Sequence, residues 1–144
     1  MSRSGPFLQN FIGLWSVSRV ISDHFSASTG TFHGTACFTA AKHGLAYIET
    51  GKLQLAGQPP FHAERRYHWH QDENGLHVSF DDGRPFHSFD PDNPEASHWC
   101  DPDTYEVTYE FDDWPHWRTI WNVSGPRKAY QMITEYAPMR NEGG

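Results

Sequence analysis

Apolar and aromatic side chains in this chain recur at every second position, in short runs cut by turn-forming residues, over almost its whole length. In the run 61–71, Ala63, Arg65, Tyr67 and Trp69 fall on one side, and Glu64, Arg66, His68 and His70 on the other. Tyr105, Val107, Tyr109 and Phe111 alternate in the same way, as do Trp117, Thr119, Trp121 and Val123. Period two marks half-buried strands, because successive side chains along a strand point to opposite faces. Between the runs stand residues 26–30, 42–44, Gly57-Gln58-Pro59-Pro60, Asp72-Glu73-Asn74-Gly75, Asp82-Gly83 and Ser124-Gly125-Pro126, all turn chemistry. No segment holds a helical period beyond a turn near the N-terminus. The pattern predicts an antiparallel meander, and a long meander must remove its edges. Closure into a barrel of about 8–10 strands does so, with a two-layer sandwich or jelly roll as the alternative.

A chain of 144 residues fits one domain, 1–144. Residues 1–12 read as a lead whose Phe7, Phe11 and Ile12 plug one barrel end, and 137–144 as a loose tail. The first strand is expected over about 13–22, the second over about 31–41, and a third from Leu45 with a bend or bulge at Gly51. The closing strand carries Tyr130, Met132, Thr134 and Tyr136.

Aromatics make up 15% of the residues, which favours strands over helices. The formal charge is −7, and basic residues occur only in short pairs such as Arg65-Arg66. Phosphate binding needs a concentrated basic surface, so nucleic acid is not an expected partner. No apolar run approaches the roughly 20 residues that span a bilayer as a helix, so no membrane partner is expected. Residues 1–10 lack the apolar core of a secretion signal, and Cys37 and Cys100 lie outside any Cys-x-x-Cys pattern. A cytoplasmic protein with free thiols is the expectation.

The spacing Gly13-x-Trp15 at the head of an all-β pattern resembles the calycin group, the lipocalins and fatty-acid-binding proteins, whose first strand opens in this way. The resemblance has a second half in Arg127, Lys128 and Tyr130. In lipocalins a late basic residue caps the tryptophan, and in fatty-acid-binding proteins a late Arg-x-Tyr grips a carboxylate; Lys128-x-Tyr130 is the match here. With Asp82-Gly83-Arg84-Pro85-Phe86-His87, the chain is similar to an uncharacterised bacterial domain family with a lipocalin-like barrel, which implies a fold and no activity. A related barrel group binds haem through a late histidine. The segment 127–136 has none, and His116 is nearest, so no cofactor is expected.

Arg19, Tyr47, Glu49, Arg65, Tyr67, Tyr105, Tyr109, Lys128 and Tyr130 share the inward parity of Trp15, Trp69, Val107 and Met132. Cations and phenols among aromatic walls suit a small, partly apolar ligand with an acidic or polar head. Arg19, Arg65, Lys128 and Tyr130 would orient the head, and Trp15, Tyr67, Trp69 and Trp121 would pack on the body. In the structural alternative Arg19 and Arg65 pair with Glu49 and buttress the wall. A second set, His87 and His98 with Cys100, Asp101 and Asp103, could serve proton transfer in a small barrel enzyme. A third, His68-Trp69-His70 with Glu73, has a metal-like spacing but shares its face with Glu64 and Arg66, so it reads as a solvent-facing pair and no metal site is assigned. A barrel filled by its own side chains is the remaining reading. Strand edges or one barrel end leave a homodimer open.

Overall fold

The computed structural model describes residues 6–139. After a 3-10 turn at Leu8–Phe11 come ten strands: β1 (Gly13–Asp23), β2 (Ser28–Ala41), β3 (Gly44–Leu55), β4 (Phe61–Asp72), β5 (Gly75–Phe80), β6 (Pro85–Phe89), β7 (Glu95–Cys100), β8 (Asp103–Glu110), β9 (Trp117–Ser124) and β10 (Ala129–Pro138). They form one antiparallel sheet in the order β6-β5-β4-β3-β2-β1-β10-β9-β8-β7. The first strand therefore pairs with the last, with Trp15 opposite Pro138 and Asp23 opposite Tyr130. This single curled sheet is the expected calycin-like barrel and displaces the sandwich. It is nearly closed: β6 and β7 are joined by a tight turn, with a bridge between Asp90 and Asn93, but the ladders do not connect them. Side chains close that seam, Phe86 of β6 lying 5.3 Å from His98 of β7.

Because the strands run up and down in sequence order, alternate hairpins collect at the two barrel ends. One end is sealed. Phe11, fully buried, sits at the centre of a ring of aromatics, with Phe38, Trp69, Trp114 and Trp117 at 5.1–5.4 Å and Phe111 at 6.0 Å. Such pairs each add about 0.5–1.5 kcal/mol beyond area burial. Trp15 Nε1 donates to the Phe11 carbonyl at 2.9 Å, and the Leu8 amide donates to Gln71 Oε1 at 2.9 Å, which ties the 3-10 turn across the end. Of the lead read from the sequence, Phe11 is the plug, while Phe7 and Ile12 are exposed. Residues 1–5 and 140–144 lie outside the described residues. β10 runs on through Pro138, two residues into the segment read as tail, because Ala137 and Pro138 still pair with β1.

Gly51 does not break β3. It pairs with Gly34 of β2, and the two backbones approach closely. A Cβ on Gly51 would lie 2.7 Å from both Gly34 Cα and the Phe32 ring, so the missing side chains let the sheet coil tightly here. Cys37 and Cys100 are both free thiols. No helix among the described residues is long and apolar enough to cross a membrane.

Gly51→Ala is expected to destabilise the fold by about 3 kcal/mol, at the upper end for overpacking, because backbone rather than a mobile side-chain tip blocks the new methyl. Urea unfolding checks this; a cost below about 1 kcal/mol would mean the strands can part without loss.

Candidate functional site

The barrel interior is built around a buried ion pair. Arg19 on β1 and Glu49 on β3 face inward on either side of β2. Their partners on β2 are Phe32 and Ala36, so the position between is Gly34, where no side chain obstructs the pair. The guanidinium grips the carboxylate in bidentate fashion, Nη1 to Oε2 at 2.8 Å and Nη2 to Oε1 at 2.7 Å, while Nε donates to Thr134 Oγ1 at 2.7 Å. Tyr47 donates its hydroxyl to Glu49 Oε1 at 2.6 Å and lies 2.8 Å from the Tyr136 hydroxyl, which must then donate to Tyr47. Burial pushes the Glu49 carboxyl up, but the hydrogen bonds and charge of Arg19 outweigh it and hold it below its ordinary value. Burial also opposes the Arg19 charge, and Glu49 overcomes that as well. Burial, reinforced by Glu49, takes the Tyr136 phenol up to about 12, so it remains a donor. Arg19 is committed to the wall.

Arg65 is not. It faces Glu49 across the β3–β4 ladder, but that carboxylate is already filled. Arg65 has no ion-pair partner among the described residues; its Nη2 lies 3.9 Å from Met132 Sδ and its guanidinium carbon 5.5 Å from the Trp121 ring centre. Arg65, Tyr67, Phe86 and Trp121 form a neck between two spaces. Beyond it, at the end opposite the Phe11 plug, a vestibule of about 200 Å³ is lined by Phe80, His98, Tyr105, Tyr130 and Met132. Inside it, an inner chamber of about 30 Å³ is bounded by Trp69, His87, Tyr109, Trp117 and the Arg19–Glu49 layer. That volume takes a water or two, or one polar group of a ligand, and not a ligand body.

Three buried polar atoms, Trp69 Nε1, Trp117 Nε1 and His87 Nδ1, have no partner among the described residues, and all three residues line the inner chamber. Buried polar groups normally find partners, so three orphans in residues around one small space are unusual, although each of these atoms is itself sealed from solvent. His87 faces inward in regular register with Phe89, and a bulge beside it brings in Phe86 as well. Val78 pairs with His87 and Ser79 with Pro85, which leaves Phe86 unpaired and turns it inward beside His87. His87 Nε2 lies 2.7 Å from the Tyr109 hydroxyl. Burial, with a small push from the charge of His98, lowers its pKa to about 3, so the ring is neutral at physiological pH.

The other sequence candidates divide by position. Tyr47, Glu49, Tyr67 and Trp69 line the inner space with Arg19 and Arg65, and Tyr130 lines the vestibule. Trp15 lies in the closed-end plug, against Trp114 and Trp117. Lys128 is exposed and ion-paired with Asp103 at 3.1 Å, at the opposite end of the barrel from Trp15, so it does not cap that ring as the lipocalin resemblance implies. The acid–base set is not gathered. His87 and His98 stand on either side of Phe86, Asp101 is exposed in the β7–β8 turn, and Asp103 is held by Lys128. Tyr136, Thr134 and Thr119 join the site by the same inward parity, and only register shows whom they meet. Phe86 was not readable, because a bulge leaves no mark in the alternation.

The chain belongs to the family of unknown function DUF6314, which it matches over residues 11–138. None of the curated proteins compared with the chain matches it. Among solved structures it is similar to an S-type phycobiliprotein lyase from Guillardia theta, with a TM-score of 0.62, 10% sequence identity, and coverage of 94% of this chain and 92% of that one. At this identity the likeness shows the fold alone.

Arg19→Met is expected to cost about 3–5 kcal/mol in urea unfolding because it strands a buried carboxylate. The double change Arg19→Met with Glu49→Leu should recover at least half of that; an equal or larger loss in the double variant would mean the pair is not the stabilising unit. For His87, the folded-state value lies below the ordinary 6.5, so unfolding takes up a proton between about pH 6.5 and about pH 3. Stability from this group is complete above 6.5 and is lost as pH falls, by about 1.4 kcal/mol per unit. Between pH 6.5 and 4.5 the wild type should lose roughly 2 kcal/mol more than His87→Gln. Equal losses would place His87 in contact with water.

Proposed function

We propose that this protein binds a small, partly apolar ligand with an acidic head inside its barrel, with the head on Arg65 and the body in the vestibule. One observation carries the reading. Of the two inward guanidinium groups, Arg19 is saturated by Glu49 and Thr134, and Arg65, half-buried at the neck, has no ion-pair partner among the described residues. Arg65 feels the Glu49 charge and interacts with Tyr67, but makes no ion pair of its own, so its guanidinium can still give charge-assisted hydrogen bonds to an incoming carboxylate. The flat walls offered by Trp121, Phe86 and Tyr67 favour a planar body. The vestibule is smaller than the roughly 300–1,000 Å³ of drug-sized sites, so the guest is small. The likeness to a phycobiliprotein lyase supports only the barrel that frames this site.

Calorimetric titration with 2-naphthoate, a flat two-ring carboxylate, tests the reading against its neutral counterpart, naphthalene-2-carboxamide. Wild type should prefer the carboxylate. Arg65→Gln, with an unchanged circular dichroism spectrum, should lose roughly 10–100-fold toward the carboxylate and little toward the amide, as expected for one hydrogen bond to a charged group. Equal affinity of wild type for the two probes, or an unaffected variant, would remove Arg65 from the role.

A further inference from the structure

We propose that the outer face of the β4–β5 hairpin is a binding site for a divalent transition metal, with His70, Asp72 and His77 as ligands. The site is separate from the barrel interior and is not the His68-x-His70 pair that stands out in the sequence. His70 and His77 are direct cross-strand partners, their rings stacked with centroids 4.7 Å apart. Asp72 lies two residues beyond His70 on the same face. It is opposite Gly75, which has no side chain to shield the carboxylate. One ligand atom from each of the three lies within 4.8 Å of the other two. Small rotations about the side-chain bonds bring such atoms to the roughly 2.0–2.2 Å that imidazole nitrogen and carboxylate oxygen keep from zinc.

The surroundings fit a metal better than a plain solvent face. His77 Nδ1 lies 2.7 Å from the Ser88 hydroxyl of β6, and its Nε2 lies 2.8 Å from Asp72 Oδ1. The serine fixes the ring and leaves Nε2 directed at the carboxylate, the outer-sphere arrangement that orients metal-bound histidines. An ion inserted there takes the place of the His77–Asp72 hydrogen bond. A surface hollow beside the site is lined by Asp72, Glu73, Asp90 and Asp92, which attracts cations. His68 stands outside the cluster, its ring centre 6.1 Å from that of His70 and its Nε2 3.2 Å from the Lys42 carbonyl. Two imidazoles and one carboxylate select zinc, copper, nickel or iron(II) over calcium or magnesium, and leave at least one coordination position open.

The test uses tag-free protein and Zn(II), titrated in competition with a chromophoric chelator. One equivalent should bind, with affinity reduced at least 100-fold in His70→Ala and in His77→Ala, about 10-fold or more in Ser88→Ala, and unchanged in His68→Ala. Several weak equivalents, or equal losses in His68→Ala and His77→Ala, would reduce the site to adventitious surface histidines. Co(II) gives a second readout on the same proteins. Intense visible bands of a four-coordinate centre in wild type, absent in His77→Ala, support the site; the weak spectrum of hydrated cobalt in wild type overturns it.

Discussion

The buried pair of Arg19 and Glu49 is the constraint around which this barrel is arranged. Two charges withdrawn from water are expensive, and they persist only where geometry and further hydrogen bonds satisfy every polar atom. Here Thr134, Tyr47 and Tyr136 supply those bonds, one residue each from β10, β3 and β10 again. The pair thereby crosslinks the first, third and last strands over β2, at the seam where the chain's two ends meet. Gly34 leaves its path open, and Gly51 beneath lets β2 and β3 coil against one another. Its second consequence is electrostatic. By engaging the carboxylate opposite Arg65, it leaves that guanidinium without an ion pair of its own among the described residues, which is the feature the proposed ligand head would use.

The two barrel ends have different chemistry for the same reason that they have different residues. The Phe11 ring cluster seals one end with buried aromatic area. Toward the other end aromatic walls remain, but they are flat, partly exposed and interleaved with Arg65, His98 and phenols. Between the ends lies a small inner chamber among Trp69, His87, Tyr109 and Trp117. The plug and the ion pair hold the fold, and the proposed site at the neck and vestibule lies apart from both, so a guest there would not need to reopen the core.

Much of this was legible in the sequence. Period-two alternation and hairpin pairs carry the meander, the strand count and the inward set that contains Arg19, Glu49, Arg65 and Tyr67. Parity says which face a side chain occupies but not which partner it finds across two strands, so Arg19 and Arg65 look equivalent until register separates them. Register also explains the histidines: His70 appears paired with His68 along the chain, yet its partner is His77 across the hairpin. The bulge at Val78–Ser79 breaks parity, and this is how Phe86 and His87, adjacent in sequence, both come to face inward. Lys128 matches a family pattern by position near the C-terminus, but the pairing of Asp23 with Tyr130 puts it at the open end, far from Trp15.

The division of labour between the two arginines is the central claim, and a crystal structure of the protein with 2-naphthoate bound tests it most directly. The carboxylate is expected within hydrogen-bond distance of Arg65, with the rings against Trp121 and Arg19 still bidentate on Glu49. A carboxylate seated on Arg19 with the Glu49 pair broken, or a ligand bound only outside the barrel, would contradict it.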